Sequence, residues 1–176
     1  MKVLINCPSK FSIDSNTFKK IGGIETLNLD LANILSKKKI QITLSTNCNR
    51  ARLKNNILNL PLLLLKKNSN RYKFDYIISS NDSSIFSYFP NSKKILWLHN
   101  QLQIEKSLRK KQFFHIIRYK PSVVFVSNYL SNITSRLYPF KKRLIIPNFL
   151  SPIFTNKISK KKRKKIFVWS VQRDRG

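Results

Sequence analysis

Gly22 and Gly23 are two of the three glycines in this 176-residue chain, and they stand directly before a helical pattern. Glycine lets the backbone come close to a ligand, and the free N–H groups of a helix's first turn attract anions with the positive end of the helix dipole. The junction therefore predicts an anion site. A flexible loop end would use the same two residues, and the pair alone does not decide. Neither the dinucleotide fingerprint nor the P-loop spacing is present.

A second set of candidate residues follows the predicted strands. In open α/β sheets ligands bind outside the carboxyl ends of the strands, so polar residues at those ends are candidates. They are Cys7, Ser79, Ser80, His99, Asn100, Ser127, Asn128 and Asn148. Among them, His99 is the side chain expected to change charge near neutral pH. A strand-end histidine with a structural hydrogen bond is the alternative, and His115, within an aromatic helical pattern, is interpreted as structural.

Apolar periodicity predicts the helices and strands on which these residues lie. In the helix after the glycine pair one apolar stripe is expected, formed by Ile24, Leu27, Leu31, Ile34 and Leu35. Glu25 in the first turn and the lysines at 37–39 complement its dipole. The predicted strands are Lys2–Asn6, Ile40–Ser45, Leu60–Leu65, Asp75–Ser80, Lys94–His99, Ser122–Val126 and Arg143–Ile146. The other predicted helices are Ser83–Tyr88, Gln101–Tyr119, with Phe113, Phe114, Ile116 and Ile117 on its apolar side, and Asn128–Leu137.

Alternation of strands and helices predicts the fold class. It favours a doubly wound α/β domain with a mostly parallel sheet. The chain is long enough for one domain with a substantial core, and its 41% apolar residues suit that size. We expect this domain to span residues 1–150.

Charge is the most unusual feature of the composition. The chain carries 35 Lys and Arg residues against 7 Asp and Glu, a net charge of +28. Such a charge attracts nucleic acid, anionic lipid or phosphorylated substrates. The excess is mostly lysine in a chain also rich in Asn and Ile, so a genome-wide compositional bias explains it equally well.

Cysteine usage and hydropathy favour a reducing cytoplasm. Cys7 and Cys48 are far apart and form no CxxC, so the sequence predicts neither a zinc site nor a disulfide framework. The N-terminus fits a first strand better than a signal peptide. The longest apolar run, residues 57–65, is far short of the ~20 residues of a membrane span.

The pattern changes past Asn148. Residues 151–165 are expected to form a linker that contains the basic run KKKRKK at Lys160–Lys165. Runs of this kind are usually solvated linkers, although contact with nucleic acid or lipid is an alternative. Residues 166–176 begin with the apolar run IFVWS, which we interpret as the first strand of a second domain that has been cut off.

Five short motifs together resemble one family of enzymes. They are GGIE at 22–25, LHN at 98–100, FVSNYL at 125–130, IIPNFL at 145–150 and the strand followed by RDRG at 166–176. In this order and spacing the sequence resembles the glycosyltransferases of family 4, which have the GT-B architecture. The resemblance covers nearly the whole chain. It implies an acceptor-side Rossmann-like domain, and transfer of a sugar from a nucleotide sugar to a glycan or lipid-linked acceptor, with retention and no obligatory metal or other cofactor.

The resemblance also implies roles for individual residues. Gly22 and Gly23 match the family's glycine loop against the donor diphosphate, and Glu25 matches the acidic residue that follows it. His99 resembles the histidine that contacts the transferred sugar, which makes it the catalytic candidate. The basic residue that neutralises the departing diphosphate corresponds to Arg175, with Arg173 assisting. The residues expected to line the cleft are Glu25, Asn100, Ser127 and Asn148.

One departure from the family affects activity. The family's two glutamates, seven residues apart, which bind the donor sugar and ribose, are absent from these 176 residues. We therefore expect this chain to be inactive alone.

The rival interpretation is a basic module without enzymatic activity, binding nucleic acid or an anionic membrane through Lys160–Lys165 together with the basic residues between 106 and 120. Nucleic acid is the less favoured partner, because Phe113 and Phe114 fit the core better than an exposed stacking surface. Peripheral attachment to the inner face of the cell membrane is compatible with the glycosyltransferase interpretation.

Overall fold

A computed structural model of the chain describes residues 1–11, 13 and 21–149, and its centre is an eight-stranded sheet. The strands are β1 (Lys2–Asn6), β2 (Gln41–Thr46), β3 (Arg52–Lys54), β4 (Ile57–Pro61), β5 (Tyr76–Ser80), β6 (Lys93–Leu98), β7 (Ser122–Phe125) and β8 (Lys142–Ile145). The helices are α1 (Gly23–Lys37), α2 (Leu62–Lys67), α3 (Ile104–Arg109), α4 (Gln112–Tyr119) and α5 (Asn128–Ile133). Short 3₁₀ turns lie at Ser69–Arg71 and Ser84–Tyr88.

The strand order confirms the predicted doubly wound α/β fold. The sheet runs β3-β4-β2-β1-β5-β6-β7-β8, and every pair is parallel except β3 with β4. The chain therefore builds outward from β1 to one edge, returns to the other side of β1, and builds outward again. This reversal leaves a crevice at the carboxyl ends of β1 and β5, where such folds bind ligands.

The two faces of the sheet carry different numbers of helices. Side chains alternate along each strand, so Val3 and Ile5 face α1 in one core cluster while Leu4 faces the opposite cluster. The second cluster is the larger and also contains buried residues of α2, α4 and α5, namely Leu65, Ile116 and Leu130. Only α1, among the described helices, contributes to the first cluster. This places the start of α1 directly above the strand-order reversal.

A hairpin replaces the expected strand at Leu60–Leu65. The strand ends at Pro61, and Leu62 begins α2. In sequence β3 lies between β2 and β4, but in the sheet it is the edge strand and pairs antiparallel with β4. The two-residue turn between β3 and β4 places Asn55 and Asn56 at positive φ. Asparagine tolerates that conformation better than most residues, which suits a tight hairpin. The long leucine run concealed this boundary.

The single helix expected at Gln101–Tyr119 is wrong, because the chain forms α3 and α4 with a break between them. Lys111 lies in the left-handed region at φ 57, which a continuous α-helix does not allow. The break reorients the second half, so only Ile116 of the predicted apolar cluster is fully buried. Phe114 and Ile117 are exposed, contrary to the prediction, and Phe113 is partly buried.

Two further helix predictions need correction. In α1 the buried positions include Leu29 and Ala32, while Ile34 of the predicted stripe is exposed. Helix α5 ends at Ile133 instead of Leu137. Thr134 is extended (φ −81, ψ 119), which ends the helix, and the Arg143 guanidinium donates to the free carbonyls of Thr134 (3.3 Å) and Ser135 (2.7 Å).

Tyr138, just past α5, ties α3 to the core. Its ring is almost fully buried and its hydroxyl lies 2.7 Å from Oγ of Ser107, which in turn donates to the carbonyl of Ile104. None of the helices within the described residues has the length and hydropathy that a bilayer crossing requires.

We expect Tyr138→Phe to lower the free energy of unfolding by about 1 kcal/mol, because it removes one buried hydrogen bond while keeping the ring. Urea denaturation followed by circular dichroism measures the change. Tyr129→Phe is the matched control, since that ring is 72% exposed, and it should change stability by less than about 0.5 kcal/mol. Equal losses in the two variants would contradict the role assigned to the Tyr138 hydroxyl.

Candidate functional site

Polar side chains meet at the carboxyl ends of the central strands. Asn6, the last residue of β1, is level with Ser45 of β2 and Ser79 of β5. Its Nδ2 donates to Oγ of Ser79 at 2.9 Å, and that hydroxyl donates to the carbonyl of Asp82. All three side chains of the row are fully buried. Hydrogen bonds thus close the base of the crevice at the strand-order reversal.

A second buried bond joins α1 to β5. Asn28 is fully buried, and its Nδ2 donates to the carbonyl of Ile24 while its Oδ1 accepts from Oγ of Ser80 at 3.0 Å. Asn6 and Asn28 were both missed from the sequence. An asparagine within an amphipathic helix is the available signal for Asn28, because amides need a partner when buried.

The start of α1 lies above this crevice, with Gly22 as its N-cap and no side-chain cap. Gly22 and Gly23 are both exposed, and no described glycine has a positive φ, so left-handed backbone does not explain the pair. Lack of space for a side chain explains the glycine at one of the two positions. A Cβ at Gly22 would lie 2.6 Å from Oε2 of Glu25, whereas one at Gly23 would meet nothing within 4 Å. The Glu25 carboxylate therefore occupies the positive end of the helix dipole.

Glu25 also acts on residues at the ends of β1 and β6. Burial raises the pKa of the Cys7 thiol to about 12, and the Glu25 charge adds to that shift while hydrogen bonding to Ser9 opposes it. At His99 burial lowers the pKa, and the Glu25 charge opposes this larger effect. Cys7 therefore stays protonated at neutral pH and is not a nucleophile.

Asn81 fixes the chain at the end of β6. Its Oδ1 accepts hydrogen bonds from the backbone N–H groups of His99 (2.8 Å) and Asn100 (3.3 Å). Asn81 itself has φ 55, in the left-handed region that asparagine tolerates. No sequence pattern indicates this role, which depends on the neighbouring strand.

His99 follows β6 on the α1 side of the sheet, and its ring packs against the indole of Trp97 with centroids 4.6 Å apart. Both ring nitrogens are shielded from solvent and have no hydrogen-bond partner among the described residues. Burial lowers the pKa of His99 to about 4, although the Glu25 charge opposes the shift. The imidazole is therefore neutral at pH 7, with one donor and one acceptor that the described residues leave unpaired. The structural hydrogen bond considered as an alternative is not present among these residues.

Asn100 lies on the other side of β6. Since side chains alternate, Leu98 and Asn100 face α3 and α4, where a cavity of about 200 Å³ opens. Five of its lining residues carry amides and two are lysines. The amides are Asn81, Asn100, Gln101, Gln103 and Gln112, and the lysines are Lys106 and Lys110. Amides and lysines at such density suit a ligand with hydroxyl groups and negative charge.

The remaining predicted residues lie elsewhere. Ser127 caps α5, and its Oγ accepts from the N–H of Leu130 at 3.1 Å. Asn148 follows β8 and is exposed. Arg173 and Arg175, residue 150, the predicted linker at 151–165 and the predicted strand at 166–176 lie outside the described residues.

Within the part of the chain that the structure describes, no three His, Cys, Asp or Glu side chains gather as metal ligands would. No model of a known protein family matches this sequence, and a search of curated proteins found no match to it.

We expect acid to destabilise the protein through His99. Between pH 6.5 and pH 4 the unfolded chain binds a proton at this residue that the folded chain does not bind. The free energy of unfolding therefore falls as pH drops through this window, by on the order of 2 kcal/mol from this residue after allowing for solvent screening of the partly exposed ring. His99→Gln should remove that part of the pH dependence, measured by urea denaturation at several pH values. His115→Gln, at the only other histidine, should leave most of it, and the reverse result would contradict the assignment.

We expect Asn81→Gly to lower the free energy of unfolding by about 1–2 kcal/mol, because two N–H groups lose their acceptor while glycine keeps the backbone unstrained. Asn56→Gly is the matched control, as Asn56 has nearly the same backbone conformation, with φ 60, but lies in the β3–β4 turn. It should be neutral within about 0.5 kcal/mol. Thermal and urea denaturation test both, and a neutral Asn81→Gly would show that the Asn81 bonds add no stability.

Proposed function

We propose that this chain is the acceptor-side half of a retaining glycosyltransferase that uses a nucleotide-sugar donor and works in the cytoplasm without a bound cofactor. The observation that carries the proposal is His99, a neutral imidazole at the end of β6 whose two ring nitrogens have no partner among the described residues. The charge of Glu25, at the start of α1, acts on this ring. The family resemblance of the sequence motifs places a sugar-binding histidine at this position.

His99 suits contact with a sugar better than acid catalysis. With a pKa of about 4, the imidazole is rarely protonated at neutral pH and so has little capacity to donate a proton as a general acid. A neutral imidazole donates one hydrogen bond and accepts another, which fits a pair of sugar hydroxyls. Binding would also satisfy buried nitrogens whose lack of a partner costs about 1–3 kcal/mol each. We infer that His99 orients the transferred sugar.

The donor diphosphate is assigned to the start of α1, beside the exposed Gly22 and Gly23. The Glu25 carboxylate already lies at this helix end, so an incoming diphosphate would be repelled unless cations accompany it. The proposal gives that role to Arg173 and Arg175, which also neutralise charge on the leaving group. Glu25 is assigned to ordering the loop and the helix start.

The acceptor is assigned to the amide-lined cavity on the other side of β6. Asn100 and Gln112 reach this cavity, and Lys106 and Lys110 add positive charge at its rim. A glycan or lipid-linked sugar with a phosphate or carboxylate would match these groups. For transfer, the acceptor hydroxyl would have to reach the transferred sugar above the carboxyl end of β6, beyond His99 and Asn100.

Donor binding needs more than these residues. The whole sequence has Glu25 and Glu105 as its glutamates, so the family's pair seven residues apart is absent. We therefore expect these 176 residues to bind acceptor and not to transfer sugar alone.

The test uses the fluorescence of Trp97, which packs on His99, in a Trp169→Phe background. Titration with anionic oligosaccharides and with nucleotide sugars should give a saturable change. His99→Ala should weaken the binding of sugar ligands about tenfold, equivalent to one lost hydrogen bond, and Gln112→Ala should weaken acceptor binding by a similar factor.

His115→Ala is the matched control and should bind like the unmodified chain. Equal weakening in the two histidine variants, or no response to any sugar ligand, would contradict the acceptor-side assignment. Transfer of labelled sugar from a nucleotide sugar by the chain alone would contradict the expected inactivity.

A further inference from the structure

One layer of the fold combines exposed apolar side chains with an absence of acidic ones. It is the outer surface of α2, the 3₁₀ turn at Ser84–Tyr88 and α4, which we name the α2–α4 face. Its inner side is ordinary core, where Leu65, Phe86 and Ile116 are fully buried against the sheet. The outer side is what requires an explanation.

Large apolar side chains project from this face into solvent. Leu63 is 81% exposed and Phe114 is 59% exposed. Leu64, Tyr88 and Ile117 also belong to the exposed large hydrophobic residues. Single exposed apolar residues are common, but several on adjacent elements mark a surface that contacts something apolar.

Two observations show that the three elements are neighbours. The ammonium of Lys66 on α2 lies 5.4 Å from the ring centroid of Tyr88 in the 3₁₀ turn. On α4, the charges of both Arg118 and Lys66 lower the pKa of His115, after the larger effect of burial, while Asp82 raises it. The charge of Lys66 on α2 thus acts on His115 on α4. We infer that the exposed residues of the three elements share one surface.

The charges on this face are all positive. Lys66 and Lys67 end α2, and Lys111 and Arg118 lie at the two ends of α4, while α2, the 3₁₀ turn and α4 contain no Asp or Glu. The nearest carboxylate that acts on this layer, Asp82, accepts bonds from the N–H and hydroxyl of Ser84. The face therefore has an unbalanced positive field around its apolar side chains.

We propose that the α2–α4 face binds the anionic surface of a lipid bilayer, with Leu63, Phe114 and Ile117 entering the interface and the cations resting among the headgroups. Apolar side chains surrounded by Lys and Arg are what peripheral membrane surfaces present, since burial and electrostatic attraction act together. This inference goes beyond the proposed function and does not depend on it.

The side-chain types favour lipid over nucleic acid. Binding of single strands needs aromatic rings on which bases stack. Only Tyr88 and Phe114 offer exposed rings on this face. The most exposed residue, Leu63, is aliphatic and offers no ring for stacking, but it partitions readily into a bilayer.

The experiment is vesicle co-sedimentation of the full chain with phosphatidylcholine mixed with phosphatidylglycerol, and with phosphatidylcholine alone. We expect binding to the mixed vesicles at about 0.1 M salt and loss of most of it near 1 M, where charges are screened. Phe114→Ser with Ile117→Ser should lower the partition constant about tenfold or more. Neutralising Lys66, Lys67 and Arg118 to Gln should lower it roughly fivefold for each charge.

Matched controls lie on other parts of the molecule. Leu53→Ser with Leu137→Ser changes two side chains that are each 73% exposed, and Lys38→Gln with Lys39→Gln changes two cations after α1. Both should bind vesicles like the unmodified chain. Circular dichroism should show that every variant is folded.

Three results would overturn the proposal. One is equal loss of binding in the control and face variants. Another is full dependence on the basic run Lys160–Lys165 with no effect of the face variants. The third is no binding to the mixed vesicles together with binding of a single-stranded oligonucleotide that the face variants weaken, which would assign the surface to nucleic acid.

Discussion

The hydrogen bond between Asn6 and Ser79 joins β1 to β5, the pair of strands at which the strand order of the sheet reverses. Here β1 and β5 are neighbours although the chain has built outward through β2 and β4 between them. A parallel sheet covered on both faces buries the ends of its central strands, so polar groups placed there must find partners. Asn6 donates to Ser79 through its Nδ2, while its Oδ1 and the hydroxyl of Ser45 have no partner among the described residues. The start of α1 lies above this row.

The alternation of side chains at the end of β6 divides the candidate site into two compartments. His99 points to the α1 side with Trp97 and Glu25, while Asn100 points to the cavity between α3 and α4. Asn81 holds both backbone N–H groups, so the two compartments are fixed by one side chain. In the proposed transfer one ligand would bind beside His99 and the other beside Asn100, and the two would have to meet above the end of β6.

The two faces of the sheet also differ in what covers them. On the side of α2, α4 and α5 the helices bury one apolar stripe against the sheet. Apolar residues outside that stripe are left in solvent. Helix α2 shows this plainly, since its four leucines include two that are buried and two that are exposed. A globular protein gains nothing from exposed leucines, and a membrane surface provides the environment in which they are stabilised. The proposed contact with a membrane would account for the uneven composition of this face.

Local patterns were sufficient for the architecture. Runs of β-branched and aliphatic residues gave the parallel strands, the helix after the glycine pair and the doubly wound class, because hydrophobic periodicity follows directly from which side of an element is buried. They failed where short polar or charged residues changed the backbone. Asn55 and Asn56 form a hairpin turn, Lys111 lies in the left-handed region where α3 and α4 separate, and α5 ends at Ile133, just before two carbonyls that bind Arg143.

The candidate site shows the same division between local and tertiary information. Sequence patterns alone place Gly22 and Glu25 at a helix start and His99 at a strand end, since that depends on neighbours along the chain. The packing of the strands was needed to establish that His99 and Asn100 face different compartments, that Asn81 binds the N–H groups of both, and that burial keeps His99 neutral. The reason is physical: burial and hydrogen-bond partners depend on strands that are adjacent in space and far apart in sequence.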